Sequence, residues 1–364
     1  MQFDVAIAGG GPAGSACALS LRSHAPSLRV VEIESSHYDR PRLGESLPPL
    51  ARQLLEHLGV FDAFCAAGHA QTFGTAAAWG TPRLVENDFV FYARGDGWHI
   101  DRAAFDAMLA AEAVHRGVTR MRGVSVRDAE HSQSGWRVML SNGESLAARF
   151  LVDATGSASL ATRACGAEIV AIDHLAGFGR FFDDGGDAAD PRTIVESFAG
   201  GWWYTAALPN GKRFAACMTD VDIAREMNLS DEEVWYATAA AMPIIGPIIA
   251  GASKPGPLVG RSAESRYATP PAGDDWLAAG DSASRFDPLS SQGIVKALRS
   301  GIFASYAIGD VLVRGDMHAV ARYRQFISGE FASYLEARAK YYREEQRWKD
   351  QEFWRRRRDP SSRA

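Results

Sequence analysis

The chain has 364 residues, 46% of them hydrophobic and 23% charged, with a net charge of −5 and a pI near 6.0. This is ordinary globular composition, long enough for two structural units, and its acidic balance argues against general nucleic-acid binding. No run of about 18 apolar residues exists, so no segment reads as a membrane span. The four cysteines, at 17, 65, 165 and 217, stand alone, with no CxxC and no Cys/His cluster at metal-ligand spacing. They read as reduced thiols of a cytoplasmic protein that holds no metal. The first residues enter a strand at once, without a basic region or cleavage-like site, and no internal repeat of about 20 to 50 residues is visible.

In chain order, QFDVAIA (2–8) reads as a buried strand. It runs into Gly9-Gly10-Gly11-Pro12-Ala13-Gly14, then a helix rich in small residues, then a second strand, LRVVEIE (28–34). G-x-G-x-x-G between strand and helix, with an acid about 20 residues on, is a dinucleotide fingerprint. Gly9 allows the tight turn, Gly11 lets the backbone approach a pyrophosphate, and Gly14 lets helix and strand pack closely. The helix N-terminus offers free N–H groups to the phosphates, and Glu34 should hold ribose hydroxyls. The turn-rich loop RPRLGESLPP (40–49) follows the ribose strand. Residues 71–97 alternate and turn like strands. WHIDRAAFDAML (98–109) starts a helix with Arg102, and LVDATGSAS (151–159) ends a strand at Asp153-Ala154-Thr155-Gly156.

TIVESFAGGWWYTAALPNGKRFAACMTD (193–220) reads as a hairpin turning at PNGK. Ser230 and Glu233 form a candidate capping box for the next helix. DDWLAAGD (274–281) is a short apolar run ending at Gly280-Asp281. Then Asp287-Pro288 makes a turn, Ser290 and Ser291 are N-cap candidates, and Gly293 opens an apolar-periodic helix. A second helix N-terminus is thus offered to an anion, far along the chain from the first. After about 312 the chain reads as helical and increasingly basic, with aromatics at 331, 334, 341, 342, 348, 353 and 354. The Arg355–Arg358 run reads as a solvated tail, with a docking patch for an acidic partner as the other reading.

These motifs together resemble the flavoprotein monooxygenases of the p-hydroxybenzoate hydroxylase fold and their relatives, the flavin-dependent halogenases. The resemblance implies an α/β fold: a Rossmann-like FAD-binding domain of the glutathione-reductase type, a β-sheet substrate domain and C-terminal helices. The FAD domain is expected at 1–70, 98–165 and 262–312, the substrate domain at 71–97 and 166–261, and the helical region at 313–364. Arg102 would lie near the adenosine, Asp153 and Gly156 near the pyrophosphate, Asp281 at the ribitol or ribose, and Pro288 through Gly293, with Ser291, against the isoalloxazine. Arg42 would face the pyrophosphate, and Glu45 and Ser46 the flavin edge. Trp79, Trp98, Trp202, Trp203 and Tyr204 are candidate aromatic lining, with Trp79 and Trp203 taken as the contacts to substrate.

Three chemistries share such a frame: halogenation, hydroxylation and alkene reduction. A halogenase of this kind needs a lysine a few tens of residues after the Gly-Glu-Ser loop, yet the first lysine of the chain is Lys212. The halogenase Trp-x-Trp-x-Ile-Pro signature is replaced by Tyr204-Thr205-Ala206-Ala207-Leu208-Pro209. The combination of GESLPP, AWG (78–80), GWWYTAALP and DPLSSQG is similar to the modifying flavoproteins that accompany tryptophylquinone oxidases. That likeness implies an FAD-dependent monooxygenase acting through a C4a-hydroperoxyflavin on an electron-rich aromatic, the indole of a tryptophan in a protein or peptide partner. A free small aromatic is the other substrate class, and a halogenase or an alkene reductase the alternative activity. With one dinucleotide fingerprint, electrons would come from transiently bound NAD(P)H or from a partner flavin reductase, and O2 would be consumed. A monomer or dimer is expected, with no membrane partner.

Overall fold

A computed structural model describes residues 1–89, 95–184 and 190–358. Residues 90–94 of the stretch read as strand-like, and the last six of the chain, lie outside the described residues. The apolar run 2–8 forms the strand Gln2–Ala8 at the centre of an eight-stranded sheet. It is flanked by Val30–Glu34 on one side and Ser145–Asp153 on the other, both parallel to it. Thr119–Arg122 and Trp276–Ala278 extend the parallel array outward. Continuous apolar strands of this kind suit a sheet covered on both faces. The registers Ala8↔Asp153, Ala8↔Ile33 and Asp153↔Ala278 bring four strand ends to one edge. Gly9, Glu34, Ala154 and Ala279 therefore leave the sheet side by side, at the edge where open α/β sheets bind ligands.

The helices Pro12–His24 and Gly293–Gly309 pack on each other and bury most of their residues in the core of this sheet. They approach closely because their contact is built from small residues. A Cβ at Gly301 would stand 2.2 Å from the Ala13 carbonyl oxygen and 3.0 Å from the Ala16 Cβ.

A second, seven-stranded sheet is ordered Val259–Ser262, Leu175–Asp183, Lys212–Asp220, Gly201–Leu208, Thr193–Phe198, Gly74–Ala78 and Val85–Asp88. The PNGK turn lies between two antiparallel strands as expected. The stretch 193–220 is a three-stranded meander, however, and not one hairpin, because Gly200-Gly201 turns the chain once more. Gly201 (φ 150°) permits this: a Cβ there would lie 2.1 Å from the Met218 carbonyl oxygen.

The C-terminal part is helical, Ala319–Glu344 followed by Glu352–Arg358. Phe331, Tyr334, Tyr342, Phe353 and Trp354 are buried, whereas Tyr341 faces outward. The arginine run is docked, which corrects the expectation of a solvated tail. Arg357 Nη2 stands 2.7 Å from Asp220 Oδ1 with both side chains 2% exposed, and its guanidinium lies over the Phe353 ring. Arg356 pairs with Asp220 and Asp222, and holds the Asp222 carboxyl down to about 2. A solvated run was expected because sequence alone does not show that two aspartates await these arginines across the fold.

Two caps also fall elsewhere than expected. Asp231, not Ser230, caps Glu232–Ala240, accepting from the N–H groups of Glu233 and Val234. Gln292, not Ser290 or Ser291, occupies the cap of Gly293–Gly309 and gives it no side-chain bond. Among the described residues no helix is long and apolar enough to cross a membrane.

Candidate functional site

One continuous cavity of about 1500 Å³ runs from the first strand–helix turn to the inner face of the second sheet. Sites for one small molecule usually measure about 300–1,000 Å³, so this cavity has room for a large cofactor and a substrate together. Its wall holds Gly9, Gly11, Glu34, Arg42, Glu45, Ser46, Arg102, Gly156, Asp281, Pro288, Ser291 and Gly293. Twelve positions singled out from sequence are thus brought to one surface.

The cradle end is built by backbone. Gly9 (φ 105°) makes a turn in which a Cβ would collide with the Ala154 carbonyl oxygen at 2.2 Å. Gly14 is not in the wall; its missing Cβ lets the helix sit on the Gly9 carbonyl, 1.9 Å from where that atom would be. At Gly11 and Gly293, by contrast, a Cβ would meet nothing within 4 Å. Each glycine borders the start of a helix whose cap contributes no side-chain bond. Two uncapped helix N-termini therefore look into open space in one cavity, the arrangement that receives an anion.

Charged side chains brace this end. Glu34 Oε2 accepts from Gly10 N–H at 2.7 Å, and Oε1 accepts from Ser36 N–H at 2.9 Å and from Arg42 at 3.1 Å. Burial alone would raise the Glu34 pKa, but these donors outweigh it and hold the carboxylate below its ordinary range. Arg42 also bonds Asp106 at 2.7 Å, and Arg102 bonds Asp106 at 3.2 Å and the Leu43 carbonyl at 2.7 Å. The fully buried Asp106 thus fixes both arginines. Sequence reading missed it, although Arg102 and Asp106 share a helix face at i, i+4.

Asp153 differs from its expected role, for it does not line the cavity. It accepts from Thr155 and Thr162, each through N–H and hydroxyl, and from the Ser282 hydroxyl at 3.0 Å. It acts as an internal tie between the Thr155-Gly156 loop and the Gly280-Asp281 turn. Asp281 does face the cavity. Lys296 Nζ stands 2.7 Å from its Oδ1 and Arg285 Nε 3.6 Å from its Oδ2. Burial pushes against ionisation there, but Lys296 and Arg285 prevail and keep the Asp281 carboxyl low. Lys296, 2% exposed, is a second residue the sequence reading missed.

Beyond the Asp281 turn, Asp287 caps Leu289 N–H at 2.9 Å and sets the Pro288–Ser290 turn. Ser291 follows in the left-handed region, φ 50°. Across the cavity, Glu45 is 3% exposed and its Oε1 has no hydrogen-bond partner among the described residues. Burial pushes the Glu45 carboxyl up to about 7. Ser46 Oγ meets Thr193 Oγ1 at 2.9 Å, and Thr193 Oγ1 meets His99 Nε2 at 2.9 Å. Burial lowers the His99 pKa to about 4, so this ring is neutral at pH 7.

The far wall is apolar: Phe181, Val195, Trp202, Tyr204, Phe214 and Met218. Of the expected aromatic lining, Trp202 and Tyr204 are there and Trp79, Trp98 and Trp203 are not. Trp203 points to the opposite face of the sheet, edge-on to Trp235 at 5.0 Å. Adjacent strand residues face opposite ways, so Trp202 and Trp203 could not both line the cavity. Trp79 packs on Tyr342 and Trp354 and donates to the Tyr341 carbonyl at 2.8 Å. Trp98 packs on Phe61 and Phe64. Lys212 and Lys254 reach the cavity, yet both are exposed and paired with Asp183, at 2.5 and 3.2 Å. Among the described residues no His, Cys, Asp and Glu cluster is arranged to hold a metal ion.

The two glycine-bordered helix ends, the carboxylate at the end of the second strand and Asp281 between them fit a long dinucleotide such as FAD. The class is that of flavin-dependent oxidoreductases. The chain belongs to the FAD binding domain family, which matches residues 2–312. It is 33% identical over 362 residues to LodB of Marinomonas mediterranea, provisionally named an FAD-dependent oxidoreductase, covering 98% of this chain and 97% of that protein. Among solved structures it superposes on the myxobacterial chondrochloren halogenase CndH with a TM-score of 0.90 at 24% identity, covering 100% of this chain and 87% of the other. It superposes on the peptidyl tryptophan dihydroxylase QhpG, essential for tryptophylquinone cofactor biogenesis, with a TM-score of 0.79 at 24% identity, covering 98% and 79%. At that identity the two superpositions establish the fold alone.

Proposed function

We propose that this oxidoreductase is a monooxygenase that hydroxylates an electron-rich aromatic ring, the indole of a tryptophan carried by a protein or peptide partner. The observation that carries this reading is the shared cavity. The aromatic wall of Trp202, Tyr204 and Phe214 faces the same space as the Pro288–Gly293 turn. No lysine precedes Lys212, and Lys212 is held by Asp183. The resemblance of the chain to flavoproteins that modify tryptophan in a partner supports the choice of substrate.

Reduced FAD, supplied with electrons by NAD(P)H or a partner flavin reductase and with O2, would provide the oxygen atom. The protein's own part is arrangement. The uncapped N-terminus of the Gly293–Gly309 helix favours negative charge at the cofactor edge. The apolar wall holds the ring and excludes water. Glu45, titrating near neutrality inside the cavity, can take the proton that an aromatic ring or its N–H releases on substitution. Ser46, the next residue and the first of the Ser46–Leu47 strand, is tied to Thr193 and positions that end of the site.

The test is product mass. The holoprotein, a flavin reductase and a tryptophyl peptide are incubated under isotopically labelled dioxygen with chloride and bromide present. Gain of one or more labelled oxygen atoms is expected. A halogenated peptide without oxygen would overturn the reading in favour of the second one, flavin-dependent halogenation. That second reading draws on the two lysines at the cavity wall and the CndH-like fold. Substrate reduction in the absence of oxygen would instead point to an alkene reductase.

A further inference from the structure

The C-terminal helix Ala319–Glu344 lies outside the cavity wall, yet it touches both ends of the site through one side chain. Tyr342 is fully buried. Its hydroxyl oxygen accepts the indole N–H of Trp202 at 3.2 Å, and its O–H donates to Asp287 Oδ2 at 2.7 Å. The direction is fixed, because an indole nitrogen can only donate and a carboxylate only accept. Trp202 belongs to the apolar wall, and Asp287 sets the Pro288 turn at the other side. The same helix grips that turn twice more: Arg338 Nε stands 3.3 Å from Asp287 Oδ2, and Tyr334 accepts from Asp287 N–H at 2.8 Å. Arg338 is itself tied to Asp173 at 2.8 Å, so its grip on Asp287 is not free to rotate away.

We propose that Tyr342 is a positioning residue that couples the substrate wall to the flavin edge. Through it, the chain Trp202–Tyr342–Asp287 makes the orientation of the Trp202 ring and that of the Pro288 turn a single arrangement. A change at one end, whether a ring pressed on Trp202 or a change of charge at the flavin edge, is felt at the other. Such coupling is reciprocal. A fully satisfied buried chain of this kind is suited to the task, because loosening either bond leaves a buried polar group unpaired.

The inference rests on assigning the Pro288–Gly293 turn to the flavin edge, but not on which product forms; product mass and the measurements below can fail independently. The flavin midpoint potential is measured for FAD-loaded wild type, Trp202→Phe, Tyr342→Phe and the double variant. Tyr342→Phe keeps its ring and deletes the hydroxyl, whereas Trp202→Phe keeps an aromatic ring of smaller area and deletes the indole N–H. Trp202→Phe is expected to shift the potential in the wild-type background and to shift it by less than half as much beside Tyr342→Phe. Additive shifts, or no shift in either single variant, would overturn the proposal. Should Tyr342→Phe fail to keep FAD, the wild type decides through ultraviolet resonance Raman of the tryptophan N–H marker bands. A difference between oxidised and reduced holoprotein that vanishes in Trp202→Phe supports the coupling; no difference overturns it.

Discussion

The two ends of the cavity are made by different means. The cradle end is made by backbone: turns that only glycine permits, and helix ends left open. The aromatic end is made by side chains of four strands of the second sheet, from Phe181 to Met218, closed from behind by the C-terminal segment. The cradle is therefore a local property of short motifs, whereas the aromatic wall exists only once the second sheet and the last helices have met. The difference sorts perturbations. A cradle substitution should abolish cofactor retention, and a substitution behind the wall should lower stability first.

The largest expected effect lies behind the wall. Arg357→Ala leaves the buried Asp220 carboxylate without its best partner, and Arg356 on its other side cannot replace the lost bonds. Removing one member of a buried pair costs about 3–5 kcal/mol, read as a fall in the denaturant midpoint. FAD retained by the folded fraction should be unchanged; a loss of FAD without a loss of stability would break the comparison between the two ends.

At the cradle, Gly14→Ala forces a methyl group against the Gly9 carbonyl. Overpacking of this kind costs about 1–3 kcal/mol, and here the relief must come from the turn that would receive the cofactor. Gel filtration should deliver the variant without its yellow colour. A fully loaded variant would remove Gly14 from the cradle.

Glu45→Gln separates the two ends by pH. The Glu45 carboxyl is raised to about 7 by burial, from a reference of 4.5. Between those values the folded protein binds more protons at this site than the unfolded chain does. Stability from this site therefore falls as pH rises from about 4.5 to 7, and the loss is complete above 7. The variant lacks this dependence, so wild type and variant should differ by more at pH 8 than at pH 5, with the variant gaining. The difference has a ceiling of ~3 kcal/mol. In turnover, the variant should lose the limb of the rate profile near pH 7. An unaltered profile would take Glu45 out of the proton transfer.

How much of this was legible in the sequence follows from the same division. Gly9, Gly11, Glu34, Asp281 and Gly293 could be read because each belongs to a stretch whose neighbours give its geometry. Asp153 was placed in the right loop but given the wrong direction, since a strand-end aspartate can face a ligand or its own loop, and only Thr162 and Ser282 decide between these. Lys296 and Tyr342 were missed for want of any local signal. Both sit in helices whose pattern reads as packing, and their partners lie 15 and 55 residues away. The docked arginine run has the same cause, with Asp220 more than 130 residues earlier.

The smallest effect makes the finest test, because it compares two neighbours. Trp202 and Trp203 are adjacent, chemically identical and both buried, yet strand alternation sends one into the cavity and the other into the core beneath the sheet. Trp203 Nε1 has no hydrogen-bond partner among the described residues, so Trp203→Phe loses no bond and only part of its packing on Trp235. A cost of about 1 kcal/mol follows, with binding of a tryptophyl peptide unchanged. Trp202→Phe removes contact area from the wall and the bond to Tyr342, so peptide binding should weaken while FAD is retained. Weakened binding in Trp203→Phe, with Trp202→Phe unaffected, would mean that the substrate approaches from the other face of the sheet.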